Sequence, residues 1–455
     1  MGYFSMVLSI FIFFAVVLFE LIRPKKMVID FLTAVNIVYL LAFAVAPLYI
    51  YWFYDYTTWE SIRKNDLNSS AFLYGSLLSI IFYIWFVLGY YFFNKLNINS
   101  KLSSFSEKMF NDTSSSRFSK AGLVLLLIGG ISLIVYIAVL GGFKNFIELG
   151  PVLRSNGNYI QSPLMFLKNL APLLTVASFI YYALFIDRTP KRKRYFVLFL
   201  ISFIGSSLIL FHSSGRMSIF VFLITFPLAH IIMKNKISIK SIVLGTLLFL
   251  SLVLFGDSMM NVHSSSKLNS EYLANTLANI GTTTGSVIEE FSFPFTNIAN
   301  ATLIFPTYYD YRYGFLDFIR GLDNVIPRSL INLSILAEER PSQFNTRIFN
   351  NSGTMPVDIV TFGYMSFGFA GVMIIGLLFG LLTKMFESLF SFRANLISCI
   401  FFSAWMIFFS FRIVYGDPGL AYSAVFDLAV GTILLYFFAK KKSIKERSLF
   451  IREAC

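Results

Sequence analysis

The chain has 455 residues, of which 56% are hydrophobic and only 13% are charged, and its mean hydropathy is +0.71. Charged residues make up about a quarter of an ordinary soluble domain, so the composition excludes a soluble globular fold. The net charge of +13 does not indicate nucleic-acid binding, because the Lys and Arg residues cluster in short segments between apolar runs. The three histidines are dispersed and no P-loop, GxGxxG, GxSxG or HExxH pattern occurs, so we expect neither a metal nor a nucleotide cofactor.

Apolar runs recur along the chain, each long enough to cross a hydrocarbon layer about 30 Å thick. We therefore predict an all-α polytopic membrane protein, a single integral domain over residues 1–455 with about 11 transmembrane helices (about 10 to 12). The predicted spans are Tyr3–Ile22, Phe31–Phe53, Ala71–Phe93, Ala121–Leu140, Leu164–Ile186, Tyr195–His212, Met217–Met233, Ser241–Gly256, Ile359–Lys384, Asn395–Ile413 and Leu420–Phe438.

The basic residues predict which side of the membrane each connection faces. Most of the 37 Lys and Arg residues lie in alternate connections and in the tail that begins at Lys440. The positive-inside rule makes these segments cytoplasmic, which puts the N-terminus outside and the C-terminus inside. The first span has its basic residues after it, at Arg23, Lys25 and Lys26, so we interpret it as a retained helix and not a cleaved signal peptide.

Residues 257–358 form a long outer segment between the eighth and ninth predicted spans. A helical periodicity within it puts apolar residues on one face and Asp317, Arg320 and Asp323 on another; the apolar residues are Phe315, Phe318, Ile319, Leu322 and Ile326. Pro327 is expected to end this helix. It either lies on the membrane surface or caps the bundle, or it packs within an ordinary outer domain.

Several arginines on the predicted outer side are candidates for binding an anion. Arg216 lies in the polar turn 213–216 between two spans, where a positive charge does not serve as a cytoplasmic anchor. Arg412 lies at the outer end of a span; a structural pair with Asp417 or Asp427 is an equally good interpretation. Arg154 is in a polar outer loop and would ordinarily be a solvated surface residue. Arg328 and Arg340, in the long segment, rank lower.

Carboxylates of the long segment show no catalytic pattern. Glu338 and Glu339 are adjacent, and adjacent residues on a helix do not face each other, so they do not predict an acid–base dyad. Each is more simply a solvated residue that pairs with an arginine.

The layout resembles the O-antigen polymerase (Wzy-type) family of oligosaccharide repeat-unit polymerases. The turn that ends in Gly215-Arg216 is similar to one between two spans of that family, and Gly141-Gly142-Phe143 followed by Arg154-Ser155 resembles the loop after its fourth span. Ile326-Pro327 with Arg340-Pro341-Ser342 resembles the end of its long periplasmic loop. The run from Phe362-Gly363-Tyr364 through Phe367-Gly368 to Gly376 resembles its next, glycine-rich span. This chain has Met217 where the family often has a small residue.

The resemblance implies a GT-C-like glycosyltransferase of the bacterial inner membrane, with short amphipathic helices in the long periplasmic loop and an active site that faces the periplasm. It implies a role in lipopolysaccharide biosynthesis, in which a growing undecaprenyl-diphosphate-linked chain is transferred to the non-reducing end of a new lipid-linked repeat unit. A chain-length regulator protein is an expected partner.

Because the charge that develops on a diphosphate leaving group requires cationic stabilisation, we expect Arg216, Arg154 and Arg412 to bind the diphosphates. The acceptor base, if there is one, is expected among the acidic residues of the long segment: Asp310, Asp317, Asp323, Glu338 and Glu339. The alternatives are an O-antigen ligase, which would use a long-loop histidine such as His263, a lipid-linked oligosaccharide flippase or other transporter, and a structural membrane protein.

Overall fold

The computed structural model describes residues 2–53, 69–96, 98–111, 114–155, 163–187, 191–214, 216–239, 243, 245, 291–322, 325–326, 339–348 and 355–453. Every regular element in these ranges is helical. The helices are α1 (Tyr3–Ile22), α2 (Phe31–Leu40), α3 (Ala46–Phe53), α4 (Ser69–Phe93), α5 (Ile98–Asn111), α6 (Ser115–Val139), α7 (Phe143–Ser155), α8 (Leu167–Leu170), α9 (Leu173–Ile186), α10 (Arg192–Ser214), α11 (Arg216–Lys234), α12 (Phe293–Ile304), α13 (Phe315–Gly321), α14 (Pro341–Ile348), α15 (Ile359–Leu389), α16 (Leu396–Arg412) and α17 (Pro418–Glu453). A π-helical turn, Leu41–Val45, joins α2 to α3, and a short 3-10 helix, Pro163–Phe166, precedes α8.

Eight of the helical segments in the described ranges are long and apolar enough to cross a membrane. They are Tyr3–Ile22, Phe31–Phe53, Ser69–Phe93, Ser115–Val139, Leu164–Ile186, Arg192–His212, Ile359–Leu389 and Pro418–Phe438, and two shorter apolar helices are Ser218–Lys234 and Leu396–Arg412. The predicted span Ser241–Gly256 lies almost entirely outside the described residues. The prediction of a helical, multi-pass membrane protein is thus confirmed, while the number of spans and their sidedness stay predictions.

The chain folds into two compact units. The first comprises Met1–Asn97, Lys267–Glu387 and Met406–Ala424, and the second comprises Ile98–Ser266, Ser388–Trp405 and Val425–Cys455. The single integral domain expected from the sequence stays a prediction.

A buried ion cluster joins α1 to α2 in the first unit. The Arg23 guanidinium donates to Glu20 Oε2 at 2.7 Å and to Asp30 Oδ1 at 2.6 Å, and its side chain is only 4% exposed. Asp30 also caps α2, because its Oδ1 accepts the backbone N–H of Thr33 at 2.8 Å. Burial alone would raise the pKa of Asp30, but the Arg23 guanidinium holds it below its ordinary value. The cluster therefore fixes the connection between the first two helices.

Helix α15 is broken, so the predicted span Ile359–Lys384 is wrong as one continuous helix. Phe367 has φ −148° and ψ 29°, and Gly368 has φ +61° and ψ −142°. The two parts fold against each other, since a Cβ on Gly363 would lie 3.1 Å from the carbonyl oxygen of Gly371. Hydropathy could not reveal the break because both parts are apolar; glycines at the turn and at the close approach permit it.

The core of the second unit forms where α6, α7, α9 and α10 meet. Leu133 and Tyr136 of α6 pack with Leu174 of α9 and Ile209 of α10. The chain reverses from α6 into α7 at Gly141 and Gly142, whose φ angles are +87° and +108°, a conformation that favours glycine. The motif Gly141-Gly142-Phe143 is thus a tight reversal that lays α7 beside the end of α10.

Candidate anion-binding site

In the first unit, polar side chains collect around segment 413–419, which joins α16 to α17. Backbone hydrogen bonds pair this segment with the residues before α15: Ile359 N donates to Ile413 O at 3.2 Å, and Gly416 N donates to Val357 O at 2.7 Å. These bonds satisfy the backbone polar groups of a connection that is not helical. They also fix the position of its charged residue, Asp417.

Asp417 links this segment to the end of the long outer segment. Its Oδ1 caps α17 by accepting Gly419 N at 2.8 Å, while its Oδ2 accepts Ser342 N at 3.1 Å and the Ser342 hydroxyl. Asp417 is 2% exposed, and both of its oxygens are engaged. Because Arg340 lies two residues before Ser342, its backbone is held next to segment 413–419. The described structure shows no direct ion pair of Arg412 with Asp417, whose oxygens cap a helix and bind Ser342, although the Asp417 charge lies close enough to act on Arg412.

Arg412, the last residue of α16, is a half-buried residue whose guanidinium is enclosed on one side. The Nε and Nη1 atoms are buried, and no residue in the described ranges provides either with a hydrogen-bond partner. The guanidinium carbon lies 4.8 Å from the ring centre of Phe408 and 6.0 Å from that of Tyr415, so the aromatic rings offer only cation–π attraction. A buried donor without a partner is costly. Anionic oxygens that accept from these nitrogens would remove this cost, and a diphosphate carries several such oxygens.

Asp317 of α13 lies between two further arginines. Its Oδ1 accepts from Arg312 at 3.1 Å and from Arg320 at 3.2 Å, and its side chain is 2% exposed. Burial raises the pKa of Asp317, and the two guanidiniums oppose that rise. With its Oδ1 shared by two arginines, Asp317 orients them and is poorly placed to act as an acceptor base. Sequence reasoning noted Arg320 only as part of a polar helix face and did not select Arg312.

Helix α13 is shorter than predicted and turns its charged face inward. It ends at Gly321 and not at Pro327, and glycine is a weak helix former. A Cβ on Gly321 would lie only 3.0 Å from Gly419 N, so the close approach of these two segments requires a glycine. Asp317 and Arg320 are buried, whereas Phe318 and Leu322 are 41% and 37% exposed. Outward apolar side chains are expected of a helix whose outer face meets lipid.

The other acidic candidates lie apart from this cluster. Glu339 is paired with Arg347 at 2.9 Å, and its hydrogen bond raises the pKa of Arg347. The Glu339 carbonyl oxygen accepts from Arg312, so the backbone at Glu339 contacts one arginine of the cluster while its carboxylate does not. Asp310 is exposed. Asp323, Arg328 and Glu338 lie outside the described residues.

Arg154 and Arg216 belong to the second unit, where the structure describes their backbone positions. Arg154 is the penultimate residue of α7, and Arg216 is the first residue of α11. The predicted four-residue turn 213–216 is wrong in length, because α10 continues to Ser214 and leaves only Gly215 between the two helices.

Sequence reasoning did not select Asp358, which is fully buried at the start of α15. Its Oδ1 accepts Val360 N at 3.0 Å and Thr361 N at 2.9 Å, and its Oδ2 accepts the Thr361 hydroxyl. Burial raises the pKa of Asp358 to about 7, although hydrogen bonds from Thr361 and Asn297 oppose the rise. The available signal was an Asp directly before an apolar run, a pattern typical of a helix N-cap.

Of the predicted site residues in the first unit, Arg412, Arg340 and Asp317 thus lie on elements joined directly to segment 413–419, together with Arg312 and Arg320. No family model matches the chain, and no curated protein or solved structure is significantly similar to it. Fold and geometry together define a multi-pass helical membrane protein with an arginine cluster in its first unit.

Proposed function

We propose that the protein is a membrane glycosyltransferase of the O-antigen polymerase type, which binds lipid diphosphates through arginines at the outer ends of its helices. The observation that carries the proposal is the Arg412 guanidinium, whose buried Nε and Nη1 atoms have no hydrogen-bond partner in the described ranges. Arg340, Arg320 and Arg312 lie on elements bonded to or packed on the same connection. Such a cluster suits an anion of high charge at the membrane surface.

A lipid-linked diphosphate fits this chemistry. In the proposed step, a hydroxyl oxygen at the non-reducing end of the acceptor attacks the anomeric carbon of the growing chain. The bond from that carbon to the diphosphate oxygen breaks, undecaprenyl diphosphate leaves with the bonding pair, and the hydroxyl proton passes to a base or to water. Guanidiniums that bind the departing oxygens stabilise the charge that develops on them.

The polymerase uses two lipid diphosphates, one on the donor and one on the acceptor. We propose that Arg412 and Arg340 of the first unit and Arg154 and Arg216 of the second provide the cations for them. As acceptor base we retain Asp310 and Glu339 among the described candidates, because Asp317 is shared by two arginines. A chain-length regulator in the same bacterial inner membrane is the proposed protein partner.

The test is a lipopolysaccharide gel from the source bacterium with the gene deleted and complemented by variants at equal membrane abundance. We expect Arg412→Gln to leave only core plus one repeat unit, and Arg412→Lys to restore little, since an ammonium lacks the planar pair of donors. Arg393→Gln is the matched control: Arg393 lies just before the same helix and also contacts a ring, that of Phe402 at 5.4 Å, but at the predicted cytoplasmic end. A full ladder with Arg412→Gln refutes the proposal.

A transporter of lipid-linked oligosaccharide is the second candidate, favoured by the break in α15 at Phe367 and Gly368. Broken helices line the binding sites of many transporters. Loss of even the single-unit band on deletion favours this function or the O-antigen ligase. The histidine considered for a ligase, His263, lies outside the described residues.

A further inference from the structure

A buried histidine joins three helices of the second unit. His212, in the last turn of α10, is 6% exposed. Its Nδ1 lies 2.6 Å from the carbonyl oxygen of Phe146 in α7, and its Nε2 lies 2.8 Å from Tyr136 Oη in α6. A carbonyl oxygen only accepts, so Nδ1 carries the hydrogen and donates. In the neutral ring Nε2 then accepts from the Tyr136 hydroxyl, and one tautomer satisfies both contacts.

Helix α7 also packs tightly onto this ring. The Phe146 ring stacks on the His212 imidazole with a centroid distance of 4.2 Å and an interplanar angle of 12°. One turn further along α7, a Cβ on Gly150 would lie 3.2 Å from both His212 Nδ1 and His212 O. Only a glycine lets the two helices approach this closely without a shift. Phe146 and Gly150 therefore seat one face of α7 on the end of α10.

Apolar packing alone would not require this polar arrangement. Leu133, Leu140, Leu174 and Ile209 already form a hydrophobic core beside it. A buried hydrogen-bonded network adds directional contacts and so specifies one arrangement of the helices it joins. His212 thus fixes both the rotation of α7 and its position along α10.

Of the two candidate arginines of this unit, one is on a helix that His212 joins and the other begins the helix that follows α10 in the chain. Arg154 follows Gly150 by four residues in α7, and Arg216 begins α11 four residues after His212. We propose that His212 is a positioning residue that holds the backbone of Arg154 at a fixed separation from that of Arg216. The proposal rests on the proposed function, in which both arginines bind diphosphate.

Conservative variants separate the two hydrogen bonds. In His212→Asn the amide nitrogen replaces Nδ1 and keeps the bond to Phe146 O, whereas His212→Gln keeps a polar group facing Tyr136 and loses that bond. His230→Gln is the matched control, because His230 also bonds a tyrosine of this unit, with Nε2 2.9 Å from Tyr182 Oη in α9.

Spin-label distances test, independently of activity, whether the His212 contacts hold α7 in place on α10. The labels are placed at Lys144→Cys on α7 and Ile204→Cys on α10, both exposed, in full-length protein with Cys399 and Cys455 replaced by serine. We expect a narrow distance distribution in the parent, in His212→Asn and in His230→Gln, and a broad or displaced one in His212→Gln. A narrow, unshifted distribution in His212→Gln overturns the proposal.

Measurements of kcat/KM test whether His212 acts through Arg154. With a lipid-linked repeat unit as substrate in proteoliposomes, we expect His212→Gln to lower kcat/KM by on the order of tenfold to a hundredfold, the scale of a misplaced binding group. In an Arg154→Ala background the same change is expected to cost less than about twofold, because residues that act as a unit are not additive. Equal losses in both backgrounds overturn the positioning role. If the parent protein does not polymerise the substrate, the proposed function fails, and the positioning role fails with it. The spin-label distances still decide whether His212 holds α7 in place on α10.

Discussion

Gly368→Ala is expected to destabilise the first unit, because the break in α15 depends on this glycine. Its φ of +61° and ψ of −142° lie where side chains are strongly disfavoured, which costs about 1–3 kcal/mol for a non-glycine residue. The added Cβ would also lie 2.7 Å from Tyr311 Oη and 2.9 Å from Tyr311 Cζ, well inside van der Waals contact. The Tyr311 side chain would have to move, so the observed cost should exceed the backbone term.

The assay is thermal or denaturant unfolding of the purified protein in detergent, followed by tryptophan fluorescence. Gly130→Ala is the matched control, since Gly130 is within α6 and its added Cβ would meet nothing within 4 Å. That change should be neutral or stabilise by up to about 1 kcal/mol, the helix-propensity difference between Gly and Ala.

Tyr311→Ala in the Gly368→Ala background separates the two causes. Compared with Tyr311→Ala alone, which loses the packing of Tyr311 on Phe305, the double variant lacks the steric overlap and should differ by the backbone cost of about 1–3 kcal/mol. Unchanged stability in Gly368→Ala refutes the reasoning altogether. Full recovery with Tyr311→Ala would show that the overlap alone destabilises the variant and that the backbone conformation tolerates a side chain.

Three further changes test other contacts. The pKa of Asp358 is about 7 in the folded protein, against an ordinary value of 3.8. The stability that this difference contributes, about 4 kcal/mol, is fully present below about pH 4 and is lost as the pH rises through 7. Asp358→Asn should therefore flatten the fall of Tm between pH 5 and 8. Arg23→Gln leaves buried carboxylates unpaired and should cost about 3–5 kcal/mol, against less than about 1 kcal/mol for the more exposed Lys25→Gln. Ser342→Ala removes one hydrogen bond to the Asp417 carboxylate and should cost about 1.5–3 kcal/mol of unfolding free energy.

A different result in each experiment would contradict the corresponding prediction. A Tm that rises with pH in the wild type, or that depends on pH equally in Asp358→Asn, contradicts the assignment of the titrating group. Equal losses for Arg23→Gln and Lys25→Gln would mean that the ion cluster is not a buried structural pair. An unaltered Ser342→Ala protein would show that the backbone N–H of this residue suffices to bind Asp417.

Hydropathy predicted most of the long apolar helices of the described ranges, because length and apolar content are properties of single segments. Phe31–Phe53 was predicted as one span and is one apolar helical segment, interrupted only by the π-helical turn Leu41–Val45. The break in α15 was missed for the same reason, since the apolar content on both sides of Gly368 is high. What marks the break is a backbone conformation, and only the glycines Gly363, Gly368 and Gly371 hint at it in the sequence.

The candidate site was only partly predictable, because it depends on contacts between distant residues. Arg412 and Arg340 could be selected as charges in unusual places. The bond from Asp417 to Ser342 spans 75 positions of sequence, and no local pattern reveals it. Asp417 was considered a partner for Arg412, but local capping of α17 and the bond to Ser342 engage its oxygens. Without that contact, nothing in the sequence links the long outer segment to the end of α16.

Arg23 and Arg412 of the first unit differ in how their buried nitrogen atoms are satisfied. Arg23 is enclosed by Glu20 and Asp30 with nitrogen–oxygen distances of 2.6 to 2.9 Å, as expected where a buried charge serves the fold. Arg412 is equally enclosed at Nε and Nη1, but in the described ranges it meets aromatic rings and no acceptor for those atoms. A fold that can pair one buried guanidinium so completely gains no stability from leaving another without acceptors. The lipid diphosphate that we propose as a ligand would provide such acceptors.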